Sequence, residues 1–552
     1  PIDLRHAEIT NINIVYRTPA SDDMQFVLET FTVETIDSGR QQLDGQGRFT
    51  DIPFTLTGST GDEDAEVEAT FGDVRFSSST KYARNSIDID IVLGSLDNVG
   101  KLIEVENLPA EDLTLAGNIA VRGETVVLSN LVAGLGNAKL TMNGELDGAD
   151  STAKLTLEAE GDSLGVFSPD LPAIPFSGTA NISLAEASVD LDPFEFRFGD
   201  SDLSGSLNVE DGDAPVLKLE ARSSLIDLSP FEPDVEESDA STDTAAPDES
   251  ASRYVFEDEP LALEAFDGIE AQVDIGVERL KTSTTELRNL EMTATIEDGN
   301  LEFDNSFLGR YGGKFENRLE ITTTGDQADM KIAAKARDLK LGLLSGPEIP
   351  QDLIPVSAVD VDISATGASP RALASSADGI VVLTQGPGRV KNDLIESLSG
   401  DVIAQLFNAL NPLAEKDEFS NWECTVFRVD FESGVGDITG FLLQSEKLMI
   451  VGGGKIDLNT EKLNIEFNTK PRAGVGVSAD MFVTPFVKLS GPLASPSVGL
   501  NEKGVLLSGG AAVLTGGMSF LYQGLVDRAT AEGGRCEQAL EAVGEISESH
   551  AD

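Results

Sequence analysis

Catalysis and metal binding need groups that can hold a proton, an ion or a nucleophile, and this chain of 552 residues offers few of them. Its two histidines, His6 and His550, stand at opposite ends, so neither a histidine acid–base pair nor a histidine metal centre is expected. Gly452-Gly453-Gly454-Lys455 resembles part of a phosphate loop, but Met449 and Ile456 stand where that motif requires Gly and Ser or Thr. A tight turn between strands is expected there instead. Cys424 and Cys536 are too few for a disulfide scaffold and leave either one bridge or two thiols. Carboxylates are so abundant that no pair stands out by spacing. No catalytic residue, metal or cofactor is marked, and the chain is expected not to be an enzyme.

The acids have a bulk meaning instead. With 96 acidic against 39 basic residues, the net charge of −57 repels nucleic acid and disfavours adhesion to anionic headgroups. On the wet face of strands such charges keep a large, edge-rich sheet soluble.

Strands are what the residue pattern predicts almost everywhere. Leu113, Leu115, Ile119 and Val121 alternate with polar residues, as do Leu140, Met142 and Leu146, then Leu155, Leu157 and Ala159. Phe194, Phe196 and Phe198 follow, then Leu203, Leu207 and Val209; Ala271, Val273, Ile275 and Val277; and Val359, Val361, Ile363 and Ala365. Successive strand side chains point to opposite faces, so each run has one greasy and one wet face. Gly134, Gly136, Gly144, Gly148 and Gly161 punctuate the first set at hairpin positions. The fold class expected is mainly β, a long antiparallel sheet.

A landmark recurs along it. Leu96, Leu164, Leu225 and Leu339 each precede a loop with prolines, after which a new strand set begins. The layout suggests a repeat of roughly 60–85 residues, each a several-stranded unit stacked on the next. Residues 1–231 and 260–378 read as such repeats. Between them lies an acidic insertion, 232–259, of which Glu232–Ser252 has no basic residue and little to bury, and is expected to be disordered. From Gly379 the texture changes. Leu394, Leu398, Val402, Leu406 and Leu410 recur every four residues, predicting an amphipathic helix at about 392–411 that either covers a core or lies on a membrane surface. A second, Gly-rich helix is expected at about 504–527, with structural, interfacial and membrane-spanning roles all open. A polar tail, 541–552, ends the chain. Pro1 in strand-like sequence suggests a processed or truncated start.

Repeated units of the LSNLVAGLGNAKLTMNGEL type resemble those of the AsmA-like proteins of Gram-negative envelopes. The module 379–540 carries the likeness most specifically. It runs from GIVVLTQGPGRV through the helix DLIESLSGDVIAQLFNALNP and the Cys424 strand to GGGKIDLNTEKLNIEF, PFVKLSGPLASPSV, the Gly-rich helix and a late cysteine.

The resemblance implies a curved sheet forming an elongated apolar groove, and a bridge-like carrier of phospholipid across the periplasm that supports outer-membrane lipid homeostasis. It implies an inner-membrane anchor missing from this chain, a candidate outer-membrane contact through the C-terminal helices, and a Cys424–Cys536 bridge. Lipid-contacting candidates are then Leu115, Ile119, Val121, Leu140, Met142, Leu155, Leu157, Phe194, Phe196, Phe198, Leu207, Val273, Ile275, Val361 and Ile363. Alternation alone does not separate an open groove from a closed core. The competing expectations are a structural or assembly factor of the outer membrane binding protein partners along sheet edges, and an extracellular β-solenoid adhesin.

Overall fold

The computed structural model describes residues 5–16, 24–36, 39–49, 52–83, 85–103, 108–212, 214–232, 254–263, 266, 268–283, 285–340, 349–391, 419–446, 448–471, 486–501 and 536. The expected helices at about 392–411 and 504–527 lie outside them. The chain divides into two units, one of residues Pro1–Gly212 and Val216–Phe231, the other of Asp213–Pro215 and Glu232–Asp552.

The first unit is an antiparallel meander. Its strands are β1 (His6–Tyr16), β2 (Met24–Thr35), β3 (Gln41–Phe49), β4 (Ile52–Thr60), β5 (Asp64–Phe71), β6 (Val74–Ala83) and β7 (Ser86–Leu93). They continue as β8 (Leu113–Arg122), β9 (Thr125–Leu135), β10 (Ala138–Asp147), β11 (Thr152–Gly161), β12 (Phe176–Ala185), β13 (Ser188–Phe198), β14 (Ser201–Glu210), β15 (Val216–Ser223) and the two-residue β16 (Ile226–Asp227). From β1 to β15 each strand pairs with the next, as strict alternation joined by short turns requires.

The landmark leucines mark where the meander is interrupted. Helix α1 (Leu96–Ile103) follows β7, a 3-10 turn at Leu164–Val166 follows β11, and another at Ser229–Phe231 comes after β15 and β16. Strands β7, β11 and β15 run the same way, so all three interruptions fall on one rim of this sheet. The repeat in this unit is therefore a four-stranded meander plus one helical turn.

Bulges keep the greasy side continuous where spacing breaks. Asn130 adopts φ 48°, and the register shifts there against both β8 and β10. Its N–H donates to Asn143 Oδ1 at 2.7 Å. Leu128 and Leu131, three apart, thus share a face, and the shift between Leu191 and Phe194 does the same for those two.

The second unit repeats the theme with β17 (Glu270–Lys281), β18 (Glu286–Glu297), β19 (Asn300–Gly309), β20 (Lys314–Thr324), β21 (Gln327–Leu339), β22 (Ser357–Gly367) and β23 (Asp378–Gln385). There follow β24 (Gly388–Lys391), β25 (Phe419–Glu432), β26 (Val435–Ser445), β27 (Leu448–Asp457), β28 (Lys462–Pro471), β29 (Phe486–Pro492) and β30 (Ser497–Asn501). Strand β25 pairs with both β23 and β24, and all the pairings are antiparallel. Helix α2 (Pro370–Ser375) opens on Ser369, whose Oγ accepts from the Ala372 N–H.

Here a dense core exists. Val390, Trp422, Val429, Ile438, Leu443, Ile450, Ile465, Phe467 and Val487 are buried together. A second cluster, Cys424, Val426, Leu442 and Met449, packs with Cys536, and a disulfide joins Cys424 to Cys536 with 5.7 Å between their Cα atoms. The expected turn at Gly452–Lys455 is corrected: these residues lie inside β27. The glycines are needed for close approach, because a Cβ on Gly452 would strike the rings of Phe467 and Phe441.

The acidic insertion enters the described residues again at Tyr254, where it is held firmly. The Arg371 guanidinium lies 4.2 Å over the Tyr254 ring and donates to Phe256 O at 2.9 Å. Its Nε stands 3.4 Å from Glu461, a carboxylate 3% exposed that also accepts the Val255 N–H.

Candidate functional site

Residues directly opposite in an antiparallel pair lie on the same face, so the register traces what each face presents. One row of the first unit runs Ala7, Val33, Leu43, Gly58, Val67, Ser78, Ile91, Leu115, Ala133, Leu140, Ala159, Gly178, Phe196 and Leu203. Thirteen of its fourteen members are apolar or glycine. Beside it run Leu131, Met142, Leu157, Ala180, Phe194, Gly205 and Ala221. Next come Ile87, Ile119, Leu128, Gly144, Leu155, Ile182, Leu191, Leu207 and Leu219. A fourth row is Val121, Val126, Leu146, Ala153, Leu184, Val189, Val209 and Leu217. Phe198 pairs with Phe176 at the margin. All eleven candidates from this unit therefore share one face.

The band drifts across the strands. On β1 to β6 the apolar rows are those of Ile14, Ile12, Ile9 and Ala7. By β15 the first three have dropped out and the rows of Leu131, Ile87 and Val121 have replaced them. Such a steady stagger goes with a twisted, coiling sheet. Glycines smooth the surface, as where a Cβ on Gly178 would meet the Phe196 ring at 2.8 Å. The rim turns wall one side: Phe167 packs on Phe176 at 5.3 Å and Phe231 on Phe198 at 5.8 Å between ring centroids.

This face is not a filled core. None of the fifteen candidates is among the buried residues, and Val121 is 49% exposed. Of the seven hydrophobic residues that β1–β15 bury, among those described, four are alanines and the others are Phe54, Val74 and Phe176. A contiguous apolar surface of this extent is what a binding face looks like.

In the second unit one row runs Val273, Ala294, Phe303, Leu319, Ile332, Ile363, Gly379 and Phe431. The neighbouring row contains Ile275, Met292, Ala334, Val361, Val381 and Val429. The four candidates of this unit also share a face.

The opposite face of the first unit carries the charge. Lys139 faces Glu160, Lys154 faces Glu145 and Arg197 faces Asp202. Asn118 donates to Asp88 at 2.7 Å and Asn208 to Asp190 at 2.6 Å. At the rim, burial pushes the Asp202 carboxyl up, but the Ser224 hydroxyl, the Ser224 and Leu225 N–H groups and the Arg197 guanidinium outweigh it and hold the pKa below its ordinary value. Sequence reasoning did not single out Asp202, Phe167 or Phe231. The prolines beside the rim turns were the available signal for the two rings.

The resemblance read from the repeats is borne out: the family model described as AsmA family matches residues 176–419. The match supports a role in the cell envelope. No curated protein matches the chain. Among the described residues, no helix is long and apolar enough to cross a membrane.

Proposed function

We propose, with the likeness to the AsmA family as premise, that the apolar face carries phospholipid acyl chains across the periplasm, and that the protein is a carrier and not an enzyme. The observation that supports this most is the set of parallel apolar rows, continuous over seven or more strands yet left half-exposed. A two-chain lipid has about 30 methylenes, and at ~0.8 kcal/mol each its bare passage through water costs on the order of 20 kcal/mol. A continuous apolar trough removes most of that cost at every step. Headgroups stay in water, so no charged pocket is needed.

Neighbouring strands are about 4.8 Å apart, so an extended acyl chain lying along the row from Leu131 to Ala221 spans several strands and slides without meeting a polar side chain. The charged face then works as solubiliser. A photo-crosslinking side chain at Ile119, Leu155 or Leu207 is expected to capture phospholipid in the envelope, and one at Lys154, Thr156 or Asn208 is not. Equal capture from both faces, or capture from neither, would overturn the reading.

A further inference from the structure

One pair of residues breaks the apolar face of the second unit. Asn305 of β19 stands directly opposite Asn317 of β20. Apart from Thr323 and Ser357 near the strand ends, they are the only polar side chains on that face from β18 to β22, among the described residues, and the Thr323 hydroxyl donates to Gly299 O. Their surroundings are greasy on every side. Phe303 faces Leu319 two positions away, and Phe307 faces Phe315 on the other side with ring centroids 4.8 Å apart. Along the row, Asn305 is flanked by Met292 and Asn317 by Ala334.

Both side chains are half-buried, and no side-chain hydrogen bond to either amide is present among the described residues. The polar interruption in the first unit differs. Ser78 and Thr80 hydrogen-bond each other at 3.5 Å. Two unpartnered amides on a wall of hydrocarbon are costly unless something polar meets them. Together they offer four N–H donors and two carbonyl acceptors at one spot.

We propose that Asn305 and Asn317 form a binding station for the ester linkages of a diacyl lipid, their amides donating to the acyl-ester carbonyls while the chains lie over Phe303, Phe307 and Phe315. This rests on the acyl-chain reading above and adds to it a chemical preference at one place on the path. An ester carbonyl is the group that fits: it is an acceptor, it carries no charge that the trough would have to desolvate, and it sits where hydrocarbon ends.

The test uses the whole chain, mixed with equal amounts of diacyl and dialkyl-ether phosphatidylcholine of matched chain length, and reads the bound ratio by native mass spectrometry. One or two added hydrogen bonds predict a diacyl preference of roughly five- to twentyfold in the unaltered protein. The N305L/N317L variant is expected to lose the preference, with a ratio near one, while binding as much total lipid. N305L alone, which keeps one amide, is expected to fall between and serves if the double variant does not fold. A ratio of one in the unaltered protein, or a preference that survives in the variants, overturns the station alone. Retention of neither lipid overturns the acyl-chain reading and the station with it.

Discussion

Strands β8–β15 and strands β25–β29 are built from the same antiparallel hairpins, yet the first set leaves its greasy face half-exposed and the second buries it. The residues say why. TAKLTLEAEG in β11 alternates without exception, and Lys154, Thr156, Glu158 and Glu160 are exposed. VGDITGFLLQS in β26 places Phe441, Leu442 and Leu443 in a row, and LMIV opens β27. Consecutive apolar residues load both faces of a strand, so both must be covered. Leu443 and Ile450 go to the larger cluster and Leu442 and Met449 to the one that packs with Cys536. Between β11 and β26, strict alternation goes with a surface and its loss with a core.

A charge placed on each kind of face would break this comparison most sharply. Ile450 is 1% exposed, so Ile450→Asp buries an unpaired carboxylate, costs more than about 5 kcal/mol, and is expected to abolish folding. Leu157→Asp meets water at its half-buried site and is expected to leave a folded protein that no longer carries lipid. Thermal melting and accumulation in the envelope decide it. Unfolding of both variants would show that β8–β15 are a closed core after all.

The disulfide should matter only to the core-bearing unit. It closes a loop of 112 residues, which on the chain-entropy account contributes about 4–5 kcal/mol. Replacing both cysteines by Ala is expected to lower the melting transition of β25–β29 and to leave amide exchange in β8–β15 unchanged. A smaller but still large loss is expected from Arg371→Ala, which strands the buried Glu461 without its cation at a cost of about 3 kcal/mol. Faster amide exchange in residues 254–259, read by mass spectrometry, would confirm that Arg371 ties this segment down.

Much of the sheet was legible because alternation is a one-dimensional signal. Phe194, Phe196 and Phe198 do lie on one face with Leu155 and Leu207, as their spacing required. Other features were hidden for physical reasons. The bulge at Asn130 puts Leu128 and Leu131 on one face by a backbone kink that parity does not encode. The Gly452–Lys455 stretch looked like a turn because glycine serves both turns and close ring contacts. Arg371 and Glu461 are joined across ninety residues of chain, which no local pattern reports. Exposure of the apolar face was the most consequential unknown, since a strand with one greasy side reads the same in a trough and in a sandwich.

The smallest expected effect separates local turn chemistry from core packing. Asp202 holds a rim turn of the half-exposed sheet, and Asp457 holds the turn after β27, next to the buried cluster. In both, burial raises the carboxyl pKa, but hydrogen bonds outweigh it, from Ser224 and Leu225 to Asp202 and from Thr460 and Asn459 to Asp457. A carboxyl whose folded pKa lies below its unfolded value contributes stability that is complete above the unfolded pKa and is lost as pH falls through the folded one. Both carboxyls titrate below the ordinary aspartate range, so the loss falls below about pH 4. Both groups are half-buried in surface turns, where screening by solvent leaves each an expected shift of about 1–2 °C in melting temperature. Asp202→Asn and Asp457→Asn should each lower the transition of their own unit by that amount at pH 7, and the difference from the unaltered protein should vanish as pH falls past the folded pKa. Equal shifts would show that these turns are stabilised by their own hydrogen bonds whatever lies beneath them. A much larger loss at Asp457 would mean instead that the β27 turn is held by the core below it, and that the two regions differ in their loops as well as in their faces.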